Sequence, residues 1–573
     1  MQPLLEIKNL SVDFIADEIT HAVKNISFSV NRGEIVAIVG ESGSGKTVTS
    51  LSILQLIPAP PVQYSAGEIL FSEDGENRLN ILQANKKQLQ AIRGNKIGMI
   101  FQEPMSSLNP VFTCGHQVTE AIRAHKKVSL AKAKQLAIEW FNGVRLPNPH
   151  MICDRYPHQL SGGQKQRVMI AMAMCCNPSL LICDEPTTAL DVTVQKTILE
   201  LIKSIQQERN IGVIFITHDL GVVAEIADRA VVMYQGEIVE QNNVQQIFSN
   251  PQHPYTKALI ACRPVNHKRG EKLPVVADYL QSEKELIFSD NFNADKKADK
   301  HLISNTGSGE KILEVKDLSV WFPVKKNLFG KALQHTKAVD DVSFEVYKGE
   351  TLGLVGESGC GKTTLGRAIL RLLEPTAGKI IFNGEDLSAK KSDEIKSIRQ
   401  QIQIVFQDPY SSLNPRISIG SAIAEPMQVH SLLKTEKERR AAVAELLKKV
   451  DLAPAHYNRY PHQFSGGQRQ RIVIARALSL NPSFLVCDES VSALDVSIQA
   501  QILNLLNDLK KQFGFTIIFI SHDLSVVHYL SDRIVVMNRG KIEEMGLADE
   551  IYYHPRKEYT RRLIASIPGG KRA

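Results

Sequence analysis

Residues 40–47 are GESGSGKT, and residues 356–363 are the near copy GESGCGKT. Each loop follows a short apolar run, EIVAIVG or TLGLVG, and leads into a stretch that can continue as a helix, VTSLSILQLI or TLGRAILRLL. In this context glycines let successive backbone amides curl around phosphate oxygens, and the helix N-terminus adds partial positive charge at the same point. The two stretches therefore predict nucleotide-binding loops in an α/β fold that occurs twice.

The polar residues of the loops have separate predicted tasks. Lys46 and Lys362 are expected to neutralise the β- and γ-phosphates of a nucleotide. One such loop can arise by chance in a turn, but two in register argue against chance. The predicted phosphate-binding positions are Gly40, Ser42, Gly43, Gly45, Lys46 and Thr47 in the first loop, and Gly356, Ser358, Gly359, Gly361, Lys362 and Thr363 in the second.

The rest of the chain repeats in the same way, which indicates a duplication. The loops are offset by 316 residues, the FQ segments by 305 and the later motifs by 304, so the halves differ mainly by about eleven extra residues after the first loop. The paired segments are FQEPMSSLNP at 101–110 with FQDPYSSLNP at 406–415, RYPHQLSGGQKQR at 155–167 with RYPHQFSGGQRQR at 459–471, CDE at 183–185 with 487–489, and HDL at 218–220 with 522–524.

Residues 263–310 separate the two copies. Charged residues, Asn, Ser and Gly dominate this stretch, and it has little sustained apolar periodicity. We predict a linker that is largely extended, with one short ordered piece near Leu273–Ile287. The predicted domains are then 1–262 and 311–573, each the size of a large domain or of a domain with a subdomain.

Two adjacent carboxylates end an apolar strand in each half. Asp184 and Asp488 have the placement needed for a magnesium partner in this class of site. Glu185 and Glu489 come next and are predicted to point into a catalytic cleft, where a carboxylate can orient a water molecule and take its proton. On these glutamates alone, an exposed residue at a strand end is an equally good interpretation.

The motifs LSGGQ at 160–164 and FSGGQ at 464–468 favour the catalytic interpretation. Each precedes a long helical stretch, so a serine and two glycines open a helix whose first N–H groups have no partner within it. A single copy could be just a capped helix, but the motif recurs with all its neighbours. Each half therefore offers two predicted phosphate-binding surfaces, the second formed by Ser161, Gly162 and Gly163 or by Ser465, Gly466 and Gly467.

The ordered set of phosphate loop, FQ segment, SGGQ, CDE, ALD and HD resembles the ATP-binding cassette (ABC) family over nearly the whole chain except the linker. The resemblance implies two tandem P-loop NTPase domains, each with a RecA-like core, an antiparallel β subdomain and an α-helical subdomain. It also implies an intramolecular cassette dimer, in which ATP and Mg²⁺ lie between the phosphate loop of one cassette and the SGGQ of the other. One site would join Lys46, Thr47, Gln102, Asp184, Glu185 and His218 to Ser465 and Gly467, and the other would join Lys362, Thr363, Gln407, Asp488, Glu489 and His522 to Ser161 and Gly163.

The same resemblance assigns further roles. His218 and His522 would contact the γ-phosphate, with a capping or core histidine as the alternative. Gln102 and Gln407 would act both in catalysis and at the metal. The implied magnesium ligands are Thr47, Gln102 and Asp184 in one site, and Thr363, Gln407 and Asp488 in the other.

Two pairs of residues complete the comparison with the family. Phe14 and Phe322 match the aromatic residue that stacks on adenine, although a lone phenylalanine on a strand is more often part of the core. Asp191 and Asp495 would lie at the seam between the cassettes.

Both halves keep every catalytic residue type, which predicts two hydrolytic sites. The second half departs from the first at Ser490, which replaces a proline, and at Phe464, which replaces a leucine before SGGQ. Neither change removes a catalytic side chain, so we expect only small effects on turn rigidity.

Within the family, the FQ segments and HPYTKALI at 253–260 resemble the importer ATPases of the oligopeptide, dipeptide, nickel and glutathione systems. The second half has an altered tail, HPRKEYTRRLI, at 554–564. This likeness implies two separate permease subunits, an extracytoplasmic solute-binding protein, and uptake of peptides or similar small solutes. The rival is a soluble twin-cassette ATPase that acts on ribosomes or DNA, but 263–310 does not resemble a continuous charged helix, and no coiled coil or zinc-binding cysteine cluster interrupts the motifs.

The composition fits this placement. With 43% hydrophobic and 23% charged residues, the chain is typical of a soluble globular protein. Its net charge of +7 suits nucleic acid, anionic lipid or nucleotide phosphates, or simply a solvated surface with surplus lysine, and no nucleic acid partner is expected. We find no apolar run of 18 residues and no signal peptide, and the eight cysteines form no C-x-x-C pair, which predicts reduced thiols. With the resemblance, this predicts a peripheral protein on the cytoplasmic face of the inner membrane.

Overall fold

The structure is a computed structural model that describes residues 2–15, 18–102, 107–188, 190–285, 309–326, 332–390, 392–492 and 494–568. The chain divides into two compact units. Unit 1 comprises Met1–Leu190, Val194–Ile260 and Val276–Phe288, and unit 2 comprises Asp191–Thr193, Ala261–Val275 and Ser289–Ala573.

A six-stranded sheet forms the centre of the first half. Its strands are parallel except for the edge strand Glu237–Asn243, which pairs antiparallel with Arg229–Tyr234. The central strands IVAIV, LLICD and GVIFIT are buried along their whole length, as expected of a parallel sheet covered on both faces. The spatial order is Glu237–Asn243, Arg229–Tyr234, Ile35–Val39, Gly212–Thr217, Leu180–Asp184 and Ile97–Ile100.

A four-stranded antiparallel sheet packs beside this core. Its strand Leu5–Ile15 lies between Ile19–Val30 and Val62–Phe71, and buried residues largely alternate with partly exposed ones along it. Such alternation is expected of a sheet with one face on the core and one in solvent. The short strand Leu79–Asn80 completes the sheet.

Helices cover the parallel sheet, and those after the FQ segment form a group that shares an apolar cluster with it. In this group Val118, Phe141 and Ile152 are fully or almost fully buried in one apolar cluster. The α-helices described in the first half and the stretch that follows it include Lys46–Ile53, Lys86–Ile92, Cys114–His125, Leu130–Gly143, Pro149–Cys153, Gly162–Met174, Val192–Arg209, Leu220–Ile226, Val244–Ser249, Pro254–Ala261 and Val276–Glu285.

The second half repeats this architecture with the same strand orders. Its antiparallel sheet comprises Ala332–Tyr347, Lys311–Lys326, Ala377–Phe382 and Glu385–Asp386, in that order. Its six-stranded sheet comprises Ile402–Val405, Phe484–Asp488, Thr516–Ile520, Thr351–Val355, Arg533–Asn538 and Lys541–Leu547. Its helices are Lys362–Ile369, Ser392–Gln401, Pro409–Ser412, Ile419–Val429, Glu436–Lys449, Gly466–Leu478, Val496–Phe513, Leu524–Leu530, Ala548–Tyr553 and Glu558–Ile564.

The predicted α/β fold is therefore confirmed, with a parallel core, an antiparallel sheet and a helical group in each half. In the stretch predicted as a linker, the helix Val276–Glu285 lies where one short ordered piece was expected, while residues 286–308 lie outside the described residues. Ala261–Val275 clusters with unit 2, although it follows the tail of the first half directly. The domain bounds 1–262, 263–310 and 311–573 stay predictions.

Among the described residues, no helix is long and apolar enough to cross a membrane.

Candidate nucleotide-binding sites

The first phosphate loop joins the buried strand Ile35–Val39 to the helix Lys46–Ile53. Gly45 caps that helix with a φ of 94°, and a Cβ at this position would come within 2.6 Å of the Ala22 carbonyl oxygen. Only glycine tolerates both constraints. Lys46 is 5% exposed, and its Nζ donates to the carbonyl oxygens of Gly40 (2.8 Å) and Glu41 (2.9 Å), so its charge lies inside the loop.

The second loop has the same geometry. Lys362 is 4% exposed, and its Nζ donates to the carbonyl oxygens of Gly356 (2.7 Å) and Glu357 (2.9 Å). Cys360 stands where the first loop has Ser44, and its Sγ lies 3.8 Å from Lys362 Nζ. Burial raises the pKa of the Cys360 thiol despite the lysine beside it. This cysteine is therefore a protected, protonated thiol.

A threonine and an aspartate meet at the end of each loop. Thr47 Oγ1 donates to Asp184 Oδ1 at 3.2 Å, and Thr363 Oγ1 donates to Asp488 Oδ1 at 2.9 Å. Burial, with the charge of Glu185, raises the pKa of Asp184 to about 6, and burial likewise raises the pKa of Asp488. Each half thus holds a hydroxyl and a desolvated carboxylate side by side, a set of hard oxygen donors.

The glutamate after each aspartate is surrounded by polar side chains. Glu185 is 8% exposed, and its Oε2 accepts from Gln102 Nε2 at 3.1 Å and lies 3.4 Å from His218 Nδ1. Burial by itself would raise the pKa of Glu185, but the hydrogen bond and charge of His218, the charge of Lys46 and the hydrogen bond from Thr188 together outweigh it and lower this pKa to about 2. The glutamate is therefore held as an anion inside the site.

The second half repeats these contacts. Glu489 Oε2 accepts from Gln407 Nε2 at 2.8 Å and lies 3.5 Å from His522 Nδ1. Burial again opposes ionisation, but His522 and the charge of Lys362 together outweigh it, so the pKa of Glu489 is lowered. Within each half, one contact network thus unites the predicted glutamine, glutamate and histidine.

The SGGQ motif opens a helix, as predicted. Ser161 is the N-cap of Gly162–Met174, and its hydroxyl accepts from the Gln164 N–H while the Gln164 side chain accepts from the Ser161 N–H. This reciprocal pair is a capping box. A Cβ on Gly163 would come within 2.6 Å of Val194, so glycine permits the close approach of the following helix. Ser465 and Gln468 repeat the arrangement at the start of Gly466–Leu478.

The two candidate adenine-stacking residues differ in exposure. Phe14 is partly buried against the core of the first half, whereas Phe322 is 41% exposed. Beside Phe322, the indole of Trp321 lies under Lys337 Nζ, 4.7 Å from the ring centroid. Stacking on adenine stays a prediction for both phenylalanines.

Sequence reasoning missed a tyrosine at each loop. The N–H of Glu41 donates to the hydroxyl oxygen of Tyr255 at 3.0 Å, and the N–H of Glu357 donates to that of Tyr559 at 3.1 Å. Both tyrosines are buried and lie in the HPYTKALI and HPRKEYTRRLI tails of the two halves. The signal available in the sequence was a Tyr-Thr dipeptide that both halves contain, at 255–256 and, 304 residues later, at 559–560. The tail of each half therefore supports its own phosphate loop.

Sequence reasoning also missed Thr188. Its hydroxyl donates to Glu185 Oε2 at 2.9 Å, which adds a second neutral donor beside Gln102. In the second half the corresponding Ser492 donates instead to the backbone carbonyl oxygen of Glu489 at 2.8 Å. Nothing in the residue types foretold this difference, because both side chains carry a hydroxyl.

Comparison with known proteins identifies the class. The model of the family "ABC transporter" matches residues 23–188 and 339–492, which include the two phosphate loops and the two SGGQ motifs. A model described as "Oligopeptide/dipeptide transporter, C-terminal region" matches 239–287, and one described as "AAA domain, putative AbiEii toxin, Type IV TA system" matches 153–224. The chain belongs to the ABC transporter family and carries two of its ATP-binding cassettes, so it is an ATPase.

Two curated relatives agree with this assignment. The chain is 48% identical to the glutathione import ATP-binding protein GsiA of Escherichia coli strain K12 over 567 residues, which cover 99% of this chain and 89% of the relative. It is 47% identical to GsiA of Pectobacterium atrosepticum over the same shares. A solved dimeric post-hydrolysis state of the ATP-binding cassette MJ0796, bound to ADP and Pi, matches 41% of this chain and 98% of its own at 28% identity, with a TM-score of 0.38.

Proposed function

We propose that this chain is the ATP-hydrolysing subunit of an importer that takes up glutathione or short peptides through separate permease subunits. The observation that carries the proposal is the pair of complete catalytic networks, each supported by a tyrosine from the tail that follows it. The first of these tails lies in the region that matches the oligopeptide/dipeptide transporter model. The relatives at 47–48% identity are named as glutathione import proteins, which favours glutathione among the solutes.

The two cassettes form two composite ATP sites in this proposal. The phosphate loop of one cassette and the SGGQ helix start of the other enclose one ATP, so Lys46 works with Ser465, and Lys362 with Ser161. Both kinds of surface are present in each half, and their backbone N–H groups suit phosphate oxygens. Joining the halves in one chain raises their effective concentration, so pairing needs no second encounter.

Magnesium fits the residues at the end of each loop. Hard divalent cations prefer oxygen ligands, and Thr47 with Asp184, or Thr363 with Asp488, offers a hydroxyl and a carboxylate within hydrogen-bonding distance of each other. Burial and the charge of Glu185 raise the pKa of Asp184 although Lys46 lies nearby, so a bound cation would stabilise the ionised carboxylate. When bound, the cation would neutralise charge on the phosphates; Gln102 and Gln407 stay further proposed ligands.

Each catalytic glutamate orients the attacking water and accepts its proton. Before ATP binds, the neighbouring histidine favours the ionised carboxylate, and the glutamine amide fixes one of its oxygens. Because phosphoryl transfer depends mostly on positioning and charge stabilisation, these contacts set the direction from which water attacks. His218 and His522 then turn to the γ-phosphate when ATP binds. Both halves have this arrangement, so both hydrolyse ATP.

ATP binding closes the two cassettes on each other, and hydrolysis removes the phosphate that bridges them and permits reopening. The segment after Gln407 offers a surface that would pass this movement to a permease. There a cavity of about 440 Å³ is lined by side chains that include Tyr410, Glu425 and Arg476. Tyr410 is 65% exposed, and the Arg469 Cζ atom lies over its ring, 3.7 Å from the centroid of that ring. We propose that a cytoplasmic helix of a permease subunit binds here; residues 103–106 of the first half lie outside the described residues.

The complex also includes an extracytoplasmic solute-binding protein, and the chain lies peripherally on the cytoplasmic face of the inner membrane. Both statements rest on the relatives' naming as ATP-binding proteins of import systems. The alternative, a twin-cassette ATPase that acts on ribosomes or DNA, is not favoured by any relative reported above.

The test is a native pull-down of the Glu185→Gln, Glu489→Gln double variant with ATP. Both substitutions remove the carboxylate and keep the size of the side chain, so they trap the closed state. Recovery of two multi-span permease subunits from the membrane fraction supports the importer, and uptake of radiolabelled glutathione or dipeptide in cells that express the whole system separates the two solutes. Recovery of ribosomal proteins instead would overturn the importer.

A further inference from the structure

The segment Ala261–Val275 is called the tail segment here and is distinct from the HPYTKALI tail at 253–260. It begins at the last residue of the helix Pro254–Ala261 and belongs to unit 2, whereas Val276–Phe288 after it belongs to unit 1. Its residue Leu273 is 1% exposed. A passive tether would leave such a side chain in solvent, because nothing would compensate the entropy lost on ordering it. The burial of Leu273 therefore indicates that the tail segment is bound.

The central contact is a side-chain amide that pairs with a backbone. Asn504 Oδ1 accepts from the Leu273 N–H at 2.9 Å, and Asn504 Nδ2 donates to the Leu273 carbonyl oxygen at 2.8 Å. Asn504 itself is 7% exposed and lies within the helix Val496–Phe513. The amide thus pairs with the Leu273 backbone as a neighbouring β-strand would, through one accepted and one donated hydrogen bond. This pairing fixes both the position and the direction of the tail segment.

Further contacts hold the tail segment on both sides of residue 270. The Tyr529 hydroxyl donates to the carbonyl oxygen of Glu271. Arg269 donates to the Ser531 carbonyl oxygen at 3.3 Å and forms an ion pair with Asp532 Oδ1 at 3.3 Å. Earlier in the segment, Arg263 Nη2 donates to the carbonyl oxygen of Pro568 at 3.1 Å. The anchors therefore extend from residue 263 to residue 273.

The duplication supplies an internal comparison for this surface. At the offset of 304, Asn504 corresponds to Glu200 and Tyr529 corresponds to Glu225. A glutamate side chain accepts hydrogen bonds but, when ionised, cannot donate to a backbone carbonyl. The first cassette thus lacks the two groups that donate to the tail segment. A buried asparagine also costs stability in a helix unless both amide groups are paired, so its presence at 504 indicates a specific partner.

We propose that the surface formed by Asn504, Tyr529 and Asp532 is a docking site for the first cassette's tail segment, and that it keeps the two cassettes attached when no nucleotide is bound. Enclosure of ATP between the cassettes holds them only while nucleotide is present. Docking of the tail segment acts at a different place and needs no nucleotide. The inference therefore goes beyond ATP-driven closure and does not depend on which solute is imported.

The experiment uses the full chain with a protease site inserted within 289–307, cleaved after purification and freed of nucleotide. The two fragments are expected to co-elute in size-exclusion chromatography. Asn504→Leu removes both hydrogen bonds at similar size and should raise the dissociation constant of the fragments by about tenfold or more. The matched control is Glu200→Leu at the exposed equivalent position of the first cassette, which should leave co-elution unchanged.

Hydrogen exchange on the uncleaved chain gives a second measurement that needs no cleavage. The Leu273 amide should exchange at least about tenfold more slowly than an unstructured amide, and Asn504→Leu should abolish this protection while the strand Thr516–Ile520 stays protected. Protection in that strand shows that the variant still folds. Separation of the wild-type fragments, or an unprotected Leu273 amide in the wild type, would overturn the proposal, and so would an unchanged dissociation constant of the Asn504→Leu fragments.

Discussion

The two proposed catalytic glutamates show how far a duplicated site can diverge without losing a residue. Glu185 and Glu489 both have a left-handed backbone, with φ of 46° and 47°, although a proline follows the first and Ser490 follows the second. The serine therefore leaves the turn unchanged. The difference lies one turn later, where Thr188 donates to the carboxylate of Glu185 but Ser492 donates to the backbone of Glu489. A hydroxyl group at equivalent positions thus supports the carboxylate in the first site and the backbone of the turn in the second.

The largest expected effect comes from removing the carboxylates. Glu185→Gln and Glu489→Gln should each silence one site, and the double variant should lower steady-state ATP hydrolysis at least about 100-fold, because each removes the group that orients and deprotonates water. Each single variant should keep measurable activity from the other site if the sites work independently. Intact activity in Glu489→Gln together with complete loss in Glu185→Gln would show that only the first site turns over.

Removing the hydroxyl of either tail tyrosine should have a smaller effect, which lowers ATP affinity equally at the two sites. Tyr255→Phe and Tyr559→Phe each leave a loop N–H without its acceptor, so ATP affinity at the corresponding site should fall about 3- to 10-fold. Equilibrium binding of a fluorescent ATP analogue, with the other site blocked by Lys362→Ala or Lys46→Ala, measures the change. Tyr234→Phe is the matched control, because its hydroxyl accepts from the Gln235 side chain and not from the loop. Unchanged affinity in both tail variants would show that the tail is only structural.

The hydroxyl groups of Thr188 and Ser492 allow a test of the difference between the two sites. Thr188→Val, made in the Glu489→Gln background, should reduce turnover at the first site about 3- to 10-fold, since the carboxylate loses a donor of ordinary strength. Ser492→Ala in the Glu185→Gln background should change turnover at the second site by less than about twofold, because its carboxylate keeps all its partners. Equal losses in the two backgrounds would remove the proposed difference between the sites.

The smallest expected effect concerns the one loop position where the copies differ. Cys360→Ser gives the second loop the sequence of the first, and ATP hydrolysis should stay within about twofold of the wild type. Burial raises the pKa of the Cys360 thiol, so the reactive thiolate is scarce at neutral pH and becomes more abundant as pH rises. Alkylation by a small maleimide should accordingly be slow at pH 7 and faster at pH 9. Fast alkylation at pH 7 would show that the loop opens readily.

Much of the fold was predictable because its signals are local. A buried parallel strand, a glycine loop and a helix follow one another within some twenty residues, and each half repeats them. The capped SGGQ helices were predictable for the same reason, since Ser161 bonds to a residue three positions away. Contacts across long sequence separations carry no such local pattern. Tyr255 meets the loop across 214 residues, and Asn504 meets Leu273 across 231.

The sequence by itself determined that this chain has two ATP-binding cassettes, each with every residue type of the predicted catalytic set, because residue type and spacing suffice to define a phosphate loop, a carboxylate pair and a helix start. Only the tertiary structure decided which hydroxyl supports a glutamate carboxylate, which tyrosine holds each loop, and where the tail segment Ala261–Val275 binds. These outcomes depend on side-chain direction and on the packing of distant segments, and residues of the same type at equivalent positions, such as Thr188 and Ser492, can bond differently. Chemistry is encoded locally, whereas the partners that position it are set by the fold.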